Sequence, residues 1–256
     1  MIRLILKKFK KVLTLLLIGV MVSSFGYNEC YGELTMGEGT SPQIVVRPGE
    51  YGNENSVKAG KRIYIDIETY NKIKDDIRVR NDDNDRLFVS EFDINVKLAT
   101  RIAQKLSQKG VKVDLQISTS KSQDLNAAGR WSAKKHPDIY FSCHHNAYKP
   151  DSSGYLFIVN DKDKVSEKVA EQLSESIVDN PMNIPQLRNR YNEREGRAYI
   201  GEMNEMGKTN SINILGEMGF FSNQEELIKI VNDEQVEFLA ERISDGLIHT
   251  LESLNK

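Results

Sequence analysis

Three ionisable side chains stand at points in this sequence where metal-assisted hydrolysis could be organised: Glu91, His144 and Glu217. His144 lies in Phe-Ser-Cys-His-His-Asn-Ala, residues 141–147, at the end of an apolar run. A neutral imidazole at the carboxyl end of a strand is a common zinc ligand, although a lone histidine more often serves packing. Glu217 emerges from the apolar run 212–215, flanked by Gly216 and Gly219. A carboxylate near a metal-bound water can take its proton and later return it to a leaving amine. The plain alternative is a strand-end glutamate facing solvent. Glu91 falls in the first turn of a helix, where the helix dipole alone would favour its charge. The same position points an oxygen into a cleft, and Glu oxygen with His nitrogen is an acceptable zinc set.

Such side chains need elements to hold them. Ser90 caps a helix opening at Glu91, and Ile94, Leu98, Ile102 and Leu106 recur every four residues until Gly110 ends the pattern. Val111, Val113, Leu115 and Ile117 alternate with polar residues as a strand does. Further helices are expected over 122–135 and 164–178, and strands over 139–141, 155–159 and 212–215. Two helices close the chain. Residues 63–65 give a short first strand ending at Asp66, while the charge-dense 71–86 and the Arg-rich 181–210 read as irregular. Strands alternating with helices predict an α/β fold, a largely parallel twisted sheet with helices on both faces in a single catalytic-type domain. Ligands bind beyond the carboxyl ends of such strands. Asp66 and the segments after Phe141 and Leu215 should therefore converge. Alternation sends Ser142, His144 and Asn146 to one face and Cys143 and His145 to the other.

The chain has 256 residues, 39% hydrophobic and 28% charged, enough apolar material for one sizeable core. A formal charge of -2 with Lys and Arg scattered among Asp and Glu argues against nucleic-acid binding. The N-terminus departs from this mixture. Arg3, Lys7, Lys8, Lys10 and Lys11 precede the apolar run 12–22, and small and polar residues follow, which is the order of a secretory signal. The run is shorter than the ~20 residues of a comfortable membrane span, so cleavage is favoured over anchoring. The expected division is a signal peptide or signal anchor over 1–27, a Gly-, Pro- and Ser-containing linker over 28–60 and a folded domain over 61–256. With two cysteines, Cys30 and Cys143, no disulfide framework is indicated.

The order of the pieces resembles the zinc-dependent N-acetylmuramoyl-L-alanine amidases with a Glu on the first helix, then Ser-x-His-x-Asn-Ala, then Glu-x-Gly-Phe-x-Ser-Asn. Here these are Glu91, residues 142–147 and residues 217–223, with Leu125 and Arg130 at the family's spacing ahead of the histidine strand. The resemblance covers 62–251. It implies one zinc, hydrolysis of the bond between N-acetylmuramic acid and L-alanine in peptidoglycan, a catalytic carboxylate at Glu217, and action in the cell envelope or outside the cell.

One motif departs from that pattern. Members of the family begin with a strand ending Asp-Pro-Gly-His-Gly, whose histidine is a further zinc ligand. Matched to the strand at 63–65, that motif reads Asp66-Ile67-Glu68-Thr69-Tyr70, with Thr69 at the histidine position. Three routes would complete the metal site: Glu68 or Asp66 as an oxygen ligand, with Glu68 ranked first, a second water, or a partner protein. His145 faces away, and His136 and His249 read as structural or exposed. Arg188, Arg190, Arg194 and Arg197 could receive stem-peptide carboxylates, or line a solvated loop. The alternative function is an amidase-fold protein that has lost turnover and binds peptidoglycan or a partner.

Overall fold

Ile44, Val45 and Val46 are β-branched, consecutive and fully buried, as in a parallel strand covered on both faces. The computed structural model describes residues 33–36, 43–48, 62–117, 125–160, 162–192 and 200–254. Along the chain these form β1 (Glu33–Met36), β2 (Ile44–Pro48), β3 (Arg62–Tyr64), α1 (Ile67–Ile73), β4 (Arg80–Asn81), β5 (Leu87–Ser90), α2 (Glu91–Gln108), β6 (Val113–Gln116) and α3 (Leu125–Ala133). There follow β7 (Ile139–Asn146), β8 (Leu156–Asn160), α4 (Lys164–Ser176), β9 (Arg190–Asn192), α5 (Gly201–Met206), β10 (Ile212–Phe220), α6 (Gln224–Val231) and α7 (Asp233–Leu254).

Seven strands make the main sheet, in the order β1-β6-β2-β7-β10-β8-β9. The pairs β6/β2, β2/β7, β7/β10 and β8/β9 are parallel, while β1 on β6 and β8 on β10 are antiparallel. This is the expected α/β architecture. α2 packs on β2 and β7 and against α7, which also meets α4. On the opposite face, Val45, Tyr140, Leu156, Ile158 and Leu215 bury against Met203 and Met206 of α5, and α3 packs on α5. Every second residue of β2, β7 and β10 therefore faces α5.

α2 forms as its sequence directs. The Ser90 hydroxyl accepts from the Asp93 backbone N–H at 3.2 Å, and the four-residue apolar stripe Ile94, Leu98, Ile102 and Leu106 is buried. Each such side chain contributes roughly 1.5–3 kcal/mol by leaving water. Arg80 clamps Asp93 with two bonds of 2.9 Å, tying β4 to the start of the helix.

Two expectations are corrected here. The segment 28–60, read as linker, supplies β1 and β2, and β2 is an interior strand of the main sheet. Its apolar core is short and surrounded by Gly, Pro and Glu, which hid it. The strand at 63–65 is not the sheet's first strand. It is β3, part of a separate three-stranded sheet ordered β3-β5-β4. Residues 67–73, around the start of the expected loop, are helical because Asp66 caps them, accepting from Thr69 N–H at 2.7 Å, while Thr69 and Ile73 turn inward. α5 occupies part of the stretch read as irregular. The expected signal over 1–27 and the helix start at 122 lie outside the described residues. Among the described residues no helix is long and apolar enough to cross a membrane.

Candidate active site

His144 and Glu217 lie directly across from one another in the parallel β7/β10 ladder, and Arg47 of β2 stands opposite Ser142 two residues earlier on β7. Paired residues on neighbouring parallel strands share a face. Arg47, Ser142, His144 and Glu217 consequently all belong to the α5 face, at the carboxyl ends of three adjacent strands. β7 runs on through His144 paired with β10, which it follows to Asn146, while its pairing with β2 ends at Cys143.

The ends of β7 and β10 are pinned beyond the site. Phe221 N–H donates to Asn146 C=O at 3.0 Å, and Tyr148 N–H donates to Ser222 Oγ at 2.9 Å. The β7/β10 register shifts between Glu217 and Phe220, at Gly219, whose φ of 121° suits glycine. Glu226 of α6 accepts from Phe220 N–H at 2.8 Å and from Gly154 N–H at 3.0 Å, fixing the bend after Glu217.

Glu91 opens α2 fully buried. Its Oε1 lies 3.4 Å from His144 Nδ1. The same oxygen accepts from Asn95 Nδ2 and from the His145 backbone N–H, each at 3.3 Å. His145 points the other way, as alternation requires, and its Nδ1 meets Asn95 Oδ1 at 2.8 Å. Burial holds the His145 ring down to about 3, so it stays neutral.

The other ring nitrogen of His144 meets a residue that sequence reasoning did not single out. His144 Nε2 lies 2.9 Å from Oε1 of Glu202, on α5. Glu202 is fully buried and also receives the Arg47 guanidinium and, at 3.2 Å, the Tyr140 hydroxyl. Burial alone would depress the His144 pKa, but Glu202, Glu91 and Glu217 outweigh it and hold the ring up at about 10. Burial likewise opposes the charge of Glu202, yet His144 and Arg47 keep it ionised. Glu202 carries no sequence signal: it sits in Gly-Glu-Met-Asn-Glu-Met, where Glu205 is equally plausible. Arg47 had a faint one, being followed by Pro48 and Gly49 as in the family's first motif.

The structure thus brings Glu91, His144 and Glu217 to one place but does not bring Glu68 there. Glu68 is exposed on α1 and ion-paired with Lys72 at 2.7 Å, and the Thr69 hydroxyl donates to Gln224 Oε1 at 2.7 Å. With β2 as the strand beside β7, the family's Asp-Pro-Gly-His order falls on Arg47-Pro48-Gly49-Glu50, and Gly49 and Glu50 lie outside the described residues. His136 and His249 are exposed, as are Arg188 and Arg190, while Arg194 and Arg197 lie outside the described residues. Burial raises the Cys143 thiol far above its ordinary value, so it offers no nucleophile.

Zinc can be tested against this donor set. Tetrahedral zinc with ligands at about 2.0–2.1 Å sets neighbouring donors roughly 3.3 Å apart. The 3.4 Å between Glu91 Oε1 and His144 Nδ1 suits two such donors. Among the described residues no third His, Cys, Asp or Glu completes a group around them.

Solved structures share this architecture at low identity. An N-acetylmuramoyl-L-alanine amidase from Clostridium difficile 630 superposes with a TM-score of 0.61 at 21% identity, covering 84% of this chain and 99% of that one. AmiC2 of Nostoc punctiforme, also an N-acetylmuramoyl-L-alanine amidase, gives 0.57 at 19%, covering 82% and 96%. The CwlD amidase from Clostridioides difficile, solved in complex with the GerS lipoprotein, gives 0.54 at 17%, covering 82% and 99%. A comparison with proteins of curated function returned no match. The family model described as N-acetylmuramoyl-L-alanine amidase matches residues 78–249, a span that carries Glu91 on its helix, His144 on its strand and Glu217 opposite it. By that match, over more than half its length, the chain belongs to the N-acetylmuramoyl-L-alanine amidase family.

Proposed function

We propose that this chain is an exported, zinc-dependent N-acetylmuramoyl-L-alanine amidase that hydrolyses the bond between N-acetylmuramic acid and L-alanine in peptidoglycan. The observation that carries the proposal is the convergence of Glu91 Oε1 on His144 Nδ1 with Glu217 directly opposite His144. Glu91 and His144 would hold the metal. Zinc, when bound, acidifies a water and polarises the scissile carbonyl. Glu217 would accept the proton of the attacking water and return it to the nitrogen of the departing L-alanine. The oxygen of Glu91 is oriented by Asn95 and the His145 backbone. Glu68 is not proposed as a third donor, since it is exposed on α1 and ion-paired with Lys72. Given zinc and a muropeptide, the wild-type chain should release a new free amino terminus that a Glu217→Ala variant does not. Equal release from both would sink the proposal.

A second function is favoured by one observation, the buried Arg47 cation, paired with the same Glu202 that meets His144, where the family's motif has an aspartate. The two cations Arg47 and His144 balance Glu202 and Glu91 without any metal. In that case the fold grips peptidoglycan or a partner without turnover, and the complex of the CwlD amidase with a lipoprotein is a precedent for a partner. Co-sedimentation with purified cell wall that a chelator leaves undiminished, from a chain without amidase activity, would select this function.

A further inference from the structure

We propose that Glu202 is a positioning residue for His144 and that Arg47 holds Glu202 in place. The inference rests on the metal-binding function above and adds two residues to it. A fully buried carboxylate persists when its oxygens are paired, and Glu202 receives the Arg47 guanidinium, His144 Nε2 at 2.9 Å and the Tyr140 hydroxyl at 3.2 Å. The ring is protonated on both nitrogens at rest, and it would bind a cation only as the neutral form that keeps its proton on Nε2, toward Glu202, with its lone pair on Nδ1. Nδ1 is the nitrogen that looks at Glu91 Oε1. The Glu202 bond thereby selects the tautomer able to share a cation with Glu91 and stops the ring from turning. A carboxylate behind a metal-binding histidine acts in this way generally.

The carboxylate needs its own support. α5 brings Glu202 close because Gly129 of α3 lies beneath it: a Cβ on Gly129 would stand 2.6 Å from the Glu202 carbonyl oxygen. From the other side Arg47 reaches over from β2, so the element that orders Glu202 is an interior strand of the sheet. Burial and the nearby Glu202 charge push the Tyr140 hydroxyl upward, which keeps it a donor.

The test uses the full chain as wild type, as Glu202→Gln, and as the double variant Arg47→Met with Glu202→Leu. The double variant removes both charges together and leaves no buried ion alone. Circular dichroism and thermal melting establish that each variant is folded. Zinc affinity, read by competition with a chromophoric chelator, is expected to fall about 10- to 100-fold in the double variant, with Glu202→Gln in between. A folded double variant that binds zinc as tightly as wild type overturns the inference. So does one that binds more tightly, which would mean that Glu202 occupies the metal's own place. A second readout needs no metal. In the zinc-free wild type, the His144 Nε2 proton is expected as a slowly exchanging resonance in ¹⁵N-histidine spectra, absent from the double variant. Its persistence there overturns the inference. A wild-type chain that takes up no zinc refutes the metal function, and the proton comparison still decides for or against the Glu202 bond.

Discussion

Arg47 and Glu202 stand 155 positions apart in the chain and form an ion pair with both side chains withdrawn from water. One residue belongs to β2 and the other to α5, and Glu202 also meets His144 of β7, the strand beside β2. The pair joins an interior strand to the helix layer above it, directly behind the proposed metal-binding side chain.

Breaking such a pair leaves one ion buried without its partner. Arg47→Met alone should cost about 3–5 kcal/mol of folding stability. The double variant Arg47→Met with Glu202→Leu should recover most of that loss. Urea denaturation of the two variants measures the difference; equal losses would show that the pair is not energetically coupled.

Gly219→Ala should destabilise the chain by about 1–3 kcal/mol and reduce activity, because φ is 121° there and a Cβ would meet Ile230 Cγ2 at 2.6 Å. The change falls where the β7/β10 register shifts, just past Glu217. Gly216→Ala is the comparison. Its nearest obstacle is the flexible end of Met218, at 2.8 Å, so it should cost less. Thermal melting of both variants reads the contrast, and a larger loss at Gly216 would contradict it.

The α2/α7 face supplies a pH dependence. Hydrogen bonds from Lys105 and Lys109 hold Glu241 down to about 2, against the opposing effect of burial. A folded-state pKa below the unfolded one gives stability that is present above the unfolded value, near ~4.3 for glutamate, and disappears as pH falls toward the folded value. Wild type should exceed Glu241→Gln by under about 1 kcal/mol near neutrality, since the groups are partly exposed. The gap should close between about pH 4.5 and 2 and shrink in high salt. A gap that widens on acidification would reverse the sign of the coupling.

The parts of the fold legible in the sequence are those whose pattern is local. The Ser90 cap and the four-residue apolar stripe fixed α2, and alternation separated His144 from His145 correctly. β2 was not legible, since three apolar residues between Gly-, Pro- and Glu-rich neighbours look like linker until β6 and β7 cover both sides. Taking 63–65 for that strand then placed Thr69 and Glu68 in a site that they do not enter. Glu202, and Arg47 apart from the faint signal of the Pro48-Gly49 that follows it, were hidden for a different reason. Each is an ordinary charged residue on its own segment, and only the tertiary meeting of β2 with α5 makes them a pair.

The place of β2 also decides how the molecule tolerates trimming. An edge strand can be clipped and leave its sheet whole. Loss of the residues through Pro48 would instead part β6 from β7, dividing the sheet through its interior and exposing two raw borders of unpaired backbone. A cut that strips the chain through Pro48 would therefore undo the sheet that holds His144 and Glu217, unlike removal of a signal over 1–27.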